Sequence, residues 1–449
     1  MNTPIYDFVS KYASSGVARF HMPGHKGIHF LGCEKLDITE IDGADVLYSP
    51  NGIIAESENN ASGLFGSYHS FYSTEGSTLA IKTMLGMAIS KASEYRPLIL
   101  AARNVHKAFV YACALLDIDV EWMRGEDNDH LCSCSISTSE LLASIKRCVR
   151  KPDAIYVTSP DYLGNILDIK SISSICHDNG IPLLVDNAHG AYLAFTEPSM
   201  HPLALGADAC CDSAHKTLPV LTGGAYLHIS KSAPTHFKDL CAVRNTFSLF
   251  SSTSPSYLIL QSLDLCNRYL HDGYRERLAA HCQRLDRLKA DLKGLGYTVL
   301  ASEPMKTVIS CKEYGYRGYE IADILREKKI ECEFADSDYV VLMSTPENSD
   351  LDLEMLYNTL CDIKSKSPIR APSPALSARI SERQISIREA ILSPRKTVSV
   401  VDAVGRVCAS PSVSCPPAVP IAVSGEVITP THAELFKAYG IDHVEVIDK

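Results

Sequence analysis

Between about residues 75 and 230, the apolar pattern of this 449-residue chain switches repeatedly between helical spacing and short unbroken runs. Residues 77–93 carry apolar side chains at helical spacing, and 97–101 (PLILA) read as a buried strand. The pair repeats as a helix over 106–116 with a strand over 119–123, then a helix over 141–149 with a strand over 153–157. It repeats again as a helix over 169–179 and a strand over 181–185. Parallel strands need crossovers long enough to hold a helix. The alternation therefore predicts an α/β fold, with a mostly parallel sheet covered by helices on both faces.

Chemistry-bearing residues fall where open α/β sheets build their sites, just beyond the carboxyl ends of strands. Thr158, Ser159 and Pro160 follow one strand; Asp186, Ala188 and His189 follow the next; 212–216 (DSAHK) follow the short run at 209–211. Three such clusters beyond consecutive strands predict a single crevice.

Lys216 stands out within DSAHKTLPVLTGG, because an ammonium among small and apolar neighbours is costly unless paired or neutralised. A lysine that attacks carbonyls must be available as a neutral amine, which desolvation and nearby positive charge favour. The alternative is a lysine whose stem is buried and whose head reaches water. Asp186, closing an apolar strand in VDNAHG, sits where a carboxylate can hold a pyridine nitrogen protonated, although aspartates also cap such turns. Gly76, Ser77 and Thr78 open the first long helix, whose amides can bind an anion or be capped in the ordinary way. His106 has a flat ring able to stack on a pyridine face, or to hydrogen-bond at a helix start. Ser213 and His215 flank the lysine and can add phosphate contacts.

Composition excludes other classes. A formal charge of -10 argues against a nucleic-acid binder. No apolar run reaches the roughly 18 residues of a membrane span, and the N-terminus lacks a basic region followed by an apolar core. The 16 cysteines lack paired C-x-x-C spacing, which argues against zinc and predicts reduced thiols in a cytoplasmic protein. No metal is expected.

Beyond the alternating region, a charged helix over about 275–295 ends at a glycine, and strands at 297–300, 307–311 and 339–343 predict a smaller α/β unit. Residues 365–378 read as a Pro/Ser-rich linker. The tail carries one helix, a proline-rich loop (SCPPAVP) and a final helix near 431–439. The expected organisation is an N-terminal arm (1–45), a large domain (46–285), a small α/β domain (286–365) and a linker with a C-terminal domain (366–449).

Phosphate loop, stacking ring, carboxylate and lysine, in that chain order, resemble fold-type I pyridoxal phosphate enzymes, the aspartate-aminotransferase-like fold. The stretch FHMPGHKG at 20–27 is similar to the N-terminal signature of the bacterial-type Orn/Lys/Arg decarboxylase family. So are TEIDGAD at 39–45, SAHKT at 213–217, STSPSY at 252–257 followed by Leu263 and Asp264, and Gly405-Arg406 with the 416–426 stretch. The chain departs from the family in reading PPAVP at 416–420, SGE at 424–426 and Val46 in place of an aspartate, in segments that shape substrate access.

The resemblance implies decarboxylation of lysine, arginine or ornithine to the corresponding amine, with a polyamine-related role. Lys216 would then carry pyridoxal 5'-phosphate and Asp186 hold its ring nitrogen, while His106 stacks on the ring and His189 lies near its phenolic oxygen. Gly76, Ser77, Thr78, Ser213 and His215 would hold the phosphate, joined by Thr253 or Ser254 from a partner subunit, which implies a homodimer or higher homo-oligomer. Glu426 first, and Asp45 second, are expected to read the substrate's distal cation. Two other readings stand beside this one. One is transamination, disfavoured because no arginine is assigned to clamp the α-carboxylate. The other is a non-catalytic paralogue binding a polyamine-pathway ligand or enzyme, disfavoured by the intact lysine, aspartate and phosphate loop.

Overall fold

The computed structural model describes residues 1–89, 95–125, 131–370, 380–410 and 419–448. Parts of three expected elements lie outside them: 90–93 of the first long helix, 371–378 of the linker and 414–418 of the proline-rich loop.

Helices α1 (Pro4–Ser14) and α2 (Ile53–Phe65) precede the first strand. The central sheet is then laid down as β1 (His69–Ser73), α3 (Gly76–Ala88), β2 (Leu98–Ala101), α4 (Lys107–Leu116), β3 (Asp119–Trp122), α5 (Thr138–Arg147) and β4 (Ala154–Thr158). It continues with α6 (Ile169–Asp178), β5 (Leu183–Asp186), β6 (Ala209–Asp212), the short α7 (Ala214–Thr217) and β7 (Ala225–Ile229). Each helix start has a local cause. Ser137 and Asp168 cap α5 and α6 by accepting the amides of Glu140 and Ser171, and the His106 ring caps α4 by accepting the amide of Ala108. Strand β5 begins at Leu183, later than the apolar run, because Pro182 has no N–H to give the ladder.

The seven strands are ordered β1-β7-β6-β5-β4-β2-β3. Strand β7 pairs antiparallel with both β1 and β6, and the other pairs are parallel. Period-two alternation splits the sheet into two faces. Tyr156, Leu184 and Cys211 pack with Leu79, Met84 and Phe109 of α3 and α4. Val157, Val185 and Cys210 pack with Leu141, Ile172 and Cys176 of α5 and α6.

Helices α8 (Leu240–Ser248), α9 (Tyr257–His271) and α10 (Tyr274–Gly294) follow. Leu278 of α10 packs beside Tyr257 and Leu263, whereas Leu285 and Leu292 pack against Ile309 and Val340 of a second sheet, so one helix joins both cores. That sheet is antiparallel, in the order β10 (Phe334–Ala335), β11 (Tyr339–Met343), β9 (Lys306–Ser310) and β8 (Thr298–Val299). It is accompanied by α11 (Gly318–Glu327) and α12 (Asp350–Asp362).

The tail carries α13 (Ile387–Leu392), α14 (Pro430–Ala438) and an antiparallel pair, β12 (Arg395–Ser399) with β13 (His443–Ile447). Its Ile421, Phe436 and Val446 extend the apolar cluster on the α5/α6 face. One buried ion pair ties the tail to the sheet: Arg103, in the loop after β2, donates from both terminal nitrogens to both carboxylate oxygens of Glu426, at 2.6 and 2.7 Å.

Removing one partner of a buried pair strands the other charge. Glu426→Ala is therefore expected to lower folding stability by about 3–5 kcal/mol, read as a lower denaturation midpoint. The double change Arg103→Met with Glu426→Leu should recover most of that loss. An unchanged midpoint in the single variant would count against a structural role for the pair.

Candidate active site

Thr158 pairs in register with Asp186, and Asp186 with Cys211. The loops leaving β4, β5 and β6 therefore start side by side and open onto one cavity of about 220 Å³. Its rim on the α3 side is the first turn of that helix. Gly76 adopts φ +71°, a left-handed conformation that side chains rarely take, and turns the chain from β1 into the helix. The cap residue Glu75 makes no side-chain capping bond, so the first turn of α3 borders the cavity without one.

Lys216, on α7, is half-buried, and its Nζ lies 2.9 Å from Nε2 of His189. Asp186 is buried at the end of β5. Its Oδ2 accepts from the Tyr156 hydroxyl at 3.2 Å, while Oδ1 accepts from the Ala188 amide at 3.2 Å and the Cys211 thiol at 3.5 Å. His106 Nδ1 accepts the Ala108 amide at 3.1 Å, which leaves the proton of the neutral ring on Nε2. Burial lowers its pKa, with Asp186 opposing and Lys216 reinforcing. His189 is lowered much further, by burial first and then by the charges of Lys216 and Lys306.

Ser77, Thr78, Ser213 and His215 gather at the α3 end of the cavity. Ser213 Oγ donates to Ser77 Oγ at 2.8 Å, and His215 donates from Nδ1 to the Gly224 carbonyl at 3.0 Å. Beneath them Asp212 accepts from His201 at 3.0 Å, His228 at 3.2 Å and Asn187 at 2.7 Å. Burial opposes ionisation of that carboxyl, yet the two imidazoles hold it well below the usual carboxylate range. The sequence reading missed Asn104, Asp161 and Tyr162, which also line the cavity. Both amide atoms of Asn104 are buried without a hydrogen-bond partner. A buried unpaired amide beside a helix N-terminus, a carboxylate and an amine suits a ligand that is aromatic, phosphorylated and carbonyl-bearing. The residues present fit pyridoxal phosphate.

Four expected residues do not line this cavity. Glu426 is committed to Arg103 and also accepts the Val423 amide at 2.9 Å, so its carboxylate is a tail clamp in this chain. Asp45, in the left-handed region at φ 71°, accepts the amides of Val46, Asn51, Gly52 and Ile54 at 2.9–3.0 Å and so organises the start of α2. Burial raises its pKa, but these amides outweigh that effect and leave it lowered. Thr253 and Ser254 are exposed on the segment between α8 and α9.

The buried neutral state of His189 has a pH consequence. Its folded pKa lies below that of a free imidazole, about 6.5, so below that pH the unfolded chain binds a proton that the folded chain does not. Stability is thus fully present above about pH 7 and falls as pH drops, at up to about 1.4 kcal/mol per pH unit for this one group. A melting-temperature series from pH 8 to pH 5 should show that decline, with a shallower slope for His189→Asn. Parallel slopes would remove His189 as its cause.

Residues 3–295 match the Orn/Lys/Arg decarboxylase major-domain family. An arginine decarboxylase of Bacillus subtilis is 31% identical, over 95% of this chain and 91% of its own length. An arginine decarboxylase of Halalkalibacterium halodurans is 28% identical, over 95% and 91%. Among solved structures, the constitutive lysine decarboxylase of E. coli shares the fold at TM-score 0.81 and 17% identity, over 100% of this chain and 82% of that one. A cysteine desulfurase of Thermococcus onnurineus shares it at TM-score 0.54 and 14% identity, over 81% and 91%. With the motifs and the cavity chemistry in agreement with these matches, the chain belongs to the Orn/Lys/Arg decarboxylase family of pyridoxal-phosphate-dependent enzymes.

Proposed function

We propose that this protein removes carbon dioxide from a basic amino acid, with arginine the first substrate to assay and lysine and ornithine beside it. The observation that carries the reading is that Lys216, Asp186 and the first turn of α3 line one cavity. The relatives named arginine decarboxylase support arginine as the starting point.

Bound there, pyridoxal phosphate supplies an electron sink for the pair left at the substrate's α-carbon when carbon dioxide departs. We assign Lys216 to its carbonyl, Asp186 to its ring nitrogen, His106 to its ring face and His189 to its phenolic oxygen. Gly76, Ser77, Thr78, Ser213 and His215 are assigned to its phosphate. Orientation of the scissile bond by such contacts can contribute several kcal/mol to lowering the barrier. Lys216 Nζ is the acid that returns a proton to the α-carbon, and His189, 2.9 Å away, holds that nitrogen in place through Nε2.

The active unit in this reading is a homodimer in the cytoplasm. Exposed apolar side chains around the N-terminal signature, with Phe20 at 97% and Leu31 at 86% exposure, support burial against a second copy. Thr253 and Ser254, exposed within one chain, would reach the partner's phosphate site. The cysteines among the described residues are free thiols, and none of the described helices is long and apolar enough to cross a membrane.

The test incubates purified protein and pyridoxal phosphate with arginine, lysine and ornithine separately, and quantifies amine and carbon dioxide. The expected result is equal amounts of both from one substrate, lowered more than about a hundredfold by Lys216→Ala. Conversion of the cofactor to its amine form without carbon dioxide would replace this reading with transamination. Cofactor capture with no product from any of the three would leave the paralogue.

A further inference from the structure

Lys306 is the first residue of β9, in the second sheet, and it is wholly buried. Its Nζ is ion-paired with Glu303 at 3.2 Å and lies 3.3 Å from the carbonyls of Asp161 and Tyr162. Glu303 in turn accepts from the Tyr192 hydroxyl. This contact requires the turn after β4 to press against the 302–306 segment, and Gly164 permits it. At φ +83° its carbonyl accepts the Glu303 amide at 2.7 Å, and a Cβ there would sit 2.9 Å from the Ser302 side chain.

The remaining neighbour of Lys306 Nζ is Nδ1 of His189, at 3.1 Å. His189 therefore lies between two lysines, with Lys306 on Nδ1 and Lys216 on Nε2. A neutral imidazole has one lone pair and one N–H, so it cannot accept from both ammonium groups. The surroundings decide which lysine donates. Lys306 has a carboxylate and two carbonyls about it, the environment a buried ammonium needs. Lys216 has only the ring as hydrogen-bond partner among the described residues.

We propose that Lys306 is a positioning residue that holds His189 in the tautomer protonated at Nε2, so that the ring presents a donor to Lys216 Nζ and keeps that nitrogen as a hydrogen-bond acceptor. An amine that accepts is unprotonated, and its lone pair can attack a carbonyl once that hydrogen bond opens. The proposal deepens the function above and rests on Lys216 being the amine that captures the cofactor. The titratable and charged groups facing His189 are Lys216 and His215 from α7, His106 from the loop before α4 and Asp186 from β5. Asp161 and Tyr162 face it from the loop after β4, and Lys306 with Glu303 from the second sheet. The burial of Lys306 and its ion pair make it the fixed donor of this set. The small sheet thereby sets a proton position in the cavity although Lys306 does not line it.

The test uses the full chain stripped of cofactor and labelled with ¹⁵N-histidine, with His189→Asn identifying the His189 signals. The expected spectrum of the unsubstituted protein at neutral pH has the His189 proton on Nε2 and a bare Nδ1. A proton on Nδ1 overturns the proposal without reference to any variant. Lys306→Met, and Lys306→Met with Glu303→Gln to remove the stranded carboxylate, should lose that single tautomer. Cofactor capture is followed in the same proteins by borohydride trapping across pH. At pH 7 trapping should slow about tenfold in both variants, the size of one net hydrogen bond lost. Unchanged ¹⁵N shifts with an unchanged trapping profile overturn the assignment to Lys306. Trapped cofactor mapping to a residue other than Lys216 overturns instead the reading on which it rests.

Discussion

The in-register pairing of β4, β5 and β6 is the constraint on which the rest of the site depends. A parallel ladder brings equivalent carboxyl ends together, and here it sets Thr158, Asp186 and Cys211 in one row. A one-residue slip would exchange the two faces and carry Asp186 away from Tyr156 and Cys211. Both faces are packed with apolar side chains, so the register is specified twice. The loops from the three strands then need only a few residues each to converge.

Convergence creates an electrostatic problem that local chemistry resolves group by group. The cavity and its wall hold the carboxylates of Asp161, Asp186 and Glu303, the imidazoles of His106, His189 and His215, and the lysines Lys107, Lys216 and Lys306. Asp186 is steadied by a hydroxyl, an amide and a thiol rather than by a cation. His106 and His189 are kept neutral by burial, and the nearby lysines reinforce the effect. Of the two lysines that flank His189, Lys306 is paired with a buried carboxylate, which leaves Lys216 without a charged counterpart among the described residues. The lysine that faces the cavity beside His189 is thus the one without an ion-pair partner.

The alternating stretch was legible because its strands are buried on both faces and so read as short apolar runs; β2, β4 and β5 all do. Lys216, Asp186, His106 and Ser213 were legible for a related reason, since a polar residue just past such a run marks a strand end. Other elements gave no such signal. Strand β1 is HSFYS, wholly buried yet polar at His69, Ser70 and Ser73, because Ser70 bonds to His228 across the sheet and His69 to Glu58. The antiparallel β7 and the tail pair β12/β13 were likewise not foreseen; RKTVS is only partly buried, HVEVI buries Val444, Val446 and Ile447, and the register of each depends on the other. Glu426 drew attention as an acid in a family-like stretch, but its partner lies 323 residues earlier in the chain, and no local pattern announces such a pair. Asn104 and Lys306 were missed for the same reason, as their meaning comes from neighbours that only the fold supplies.

The two sheets meet through that missed lysine. Helix α10 carries the chain from one core to the other, and Gly164 lets the turn after β4 approach the segment before β9 closely enough for Lys306 to reach His189. A buried ammonium tolerates little displacement, because each lost acceptor leaves its charge less compensated in a low-dielectric setting. The Lys306 contacts therefore resist separation of the second sheet from the cavity wall. A movement that parted them would remove the donor from His189 and leave Glu303 short of its cation in the same step. Placement of the second sheet and protonation of the cavity ring are, in this fold, one structural condition.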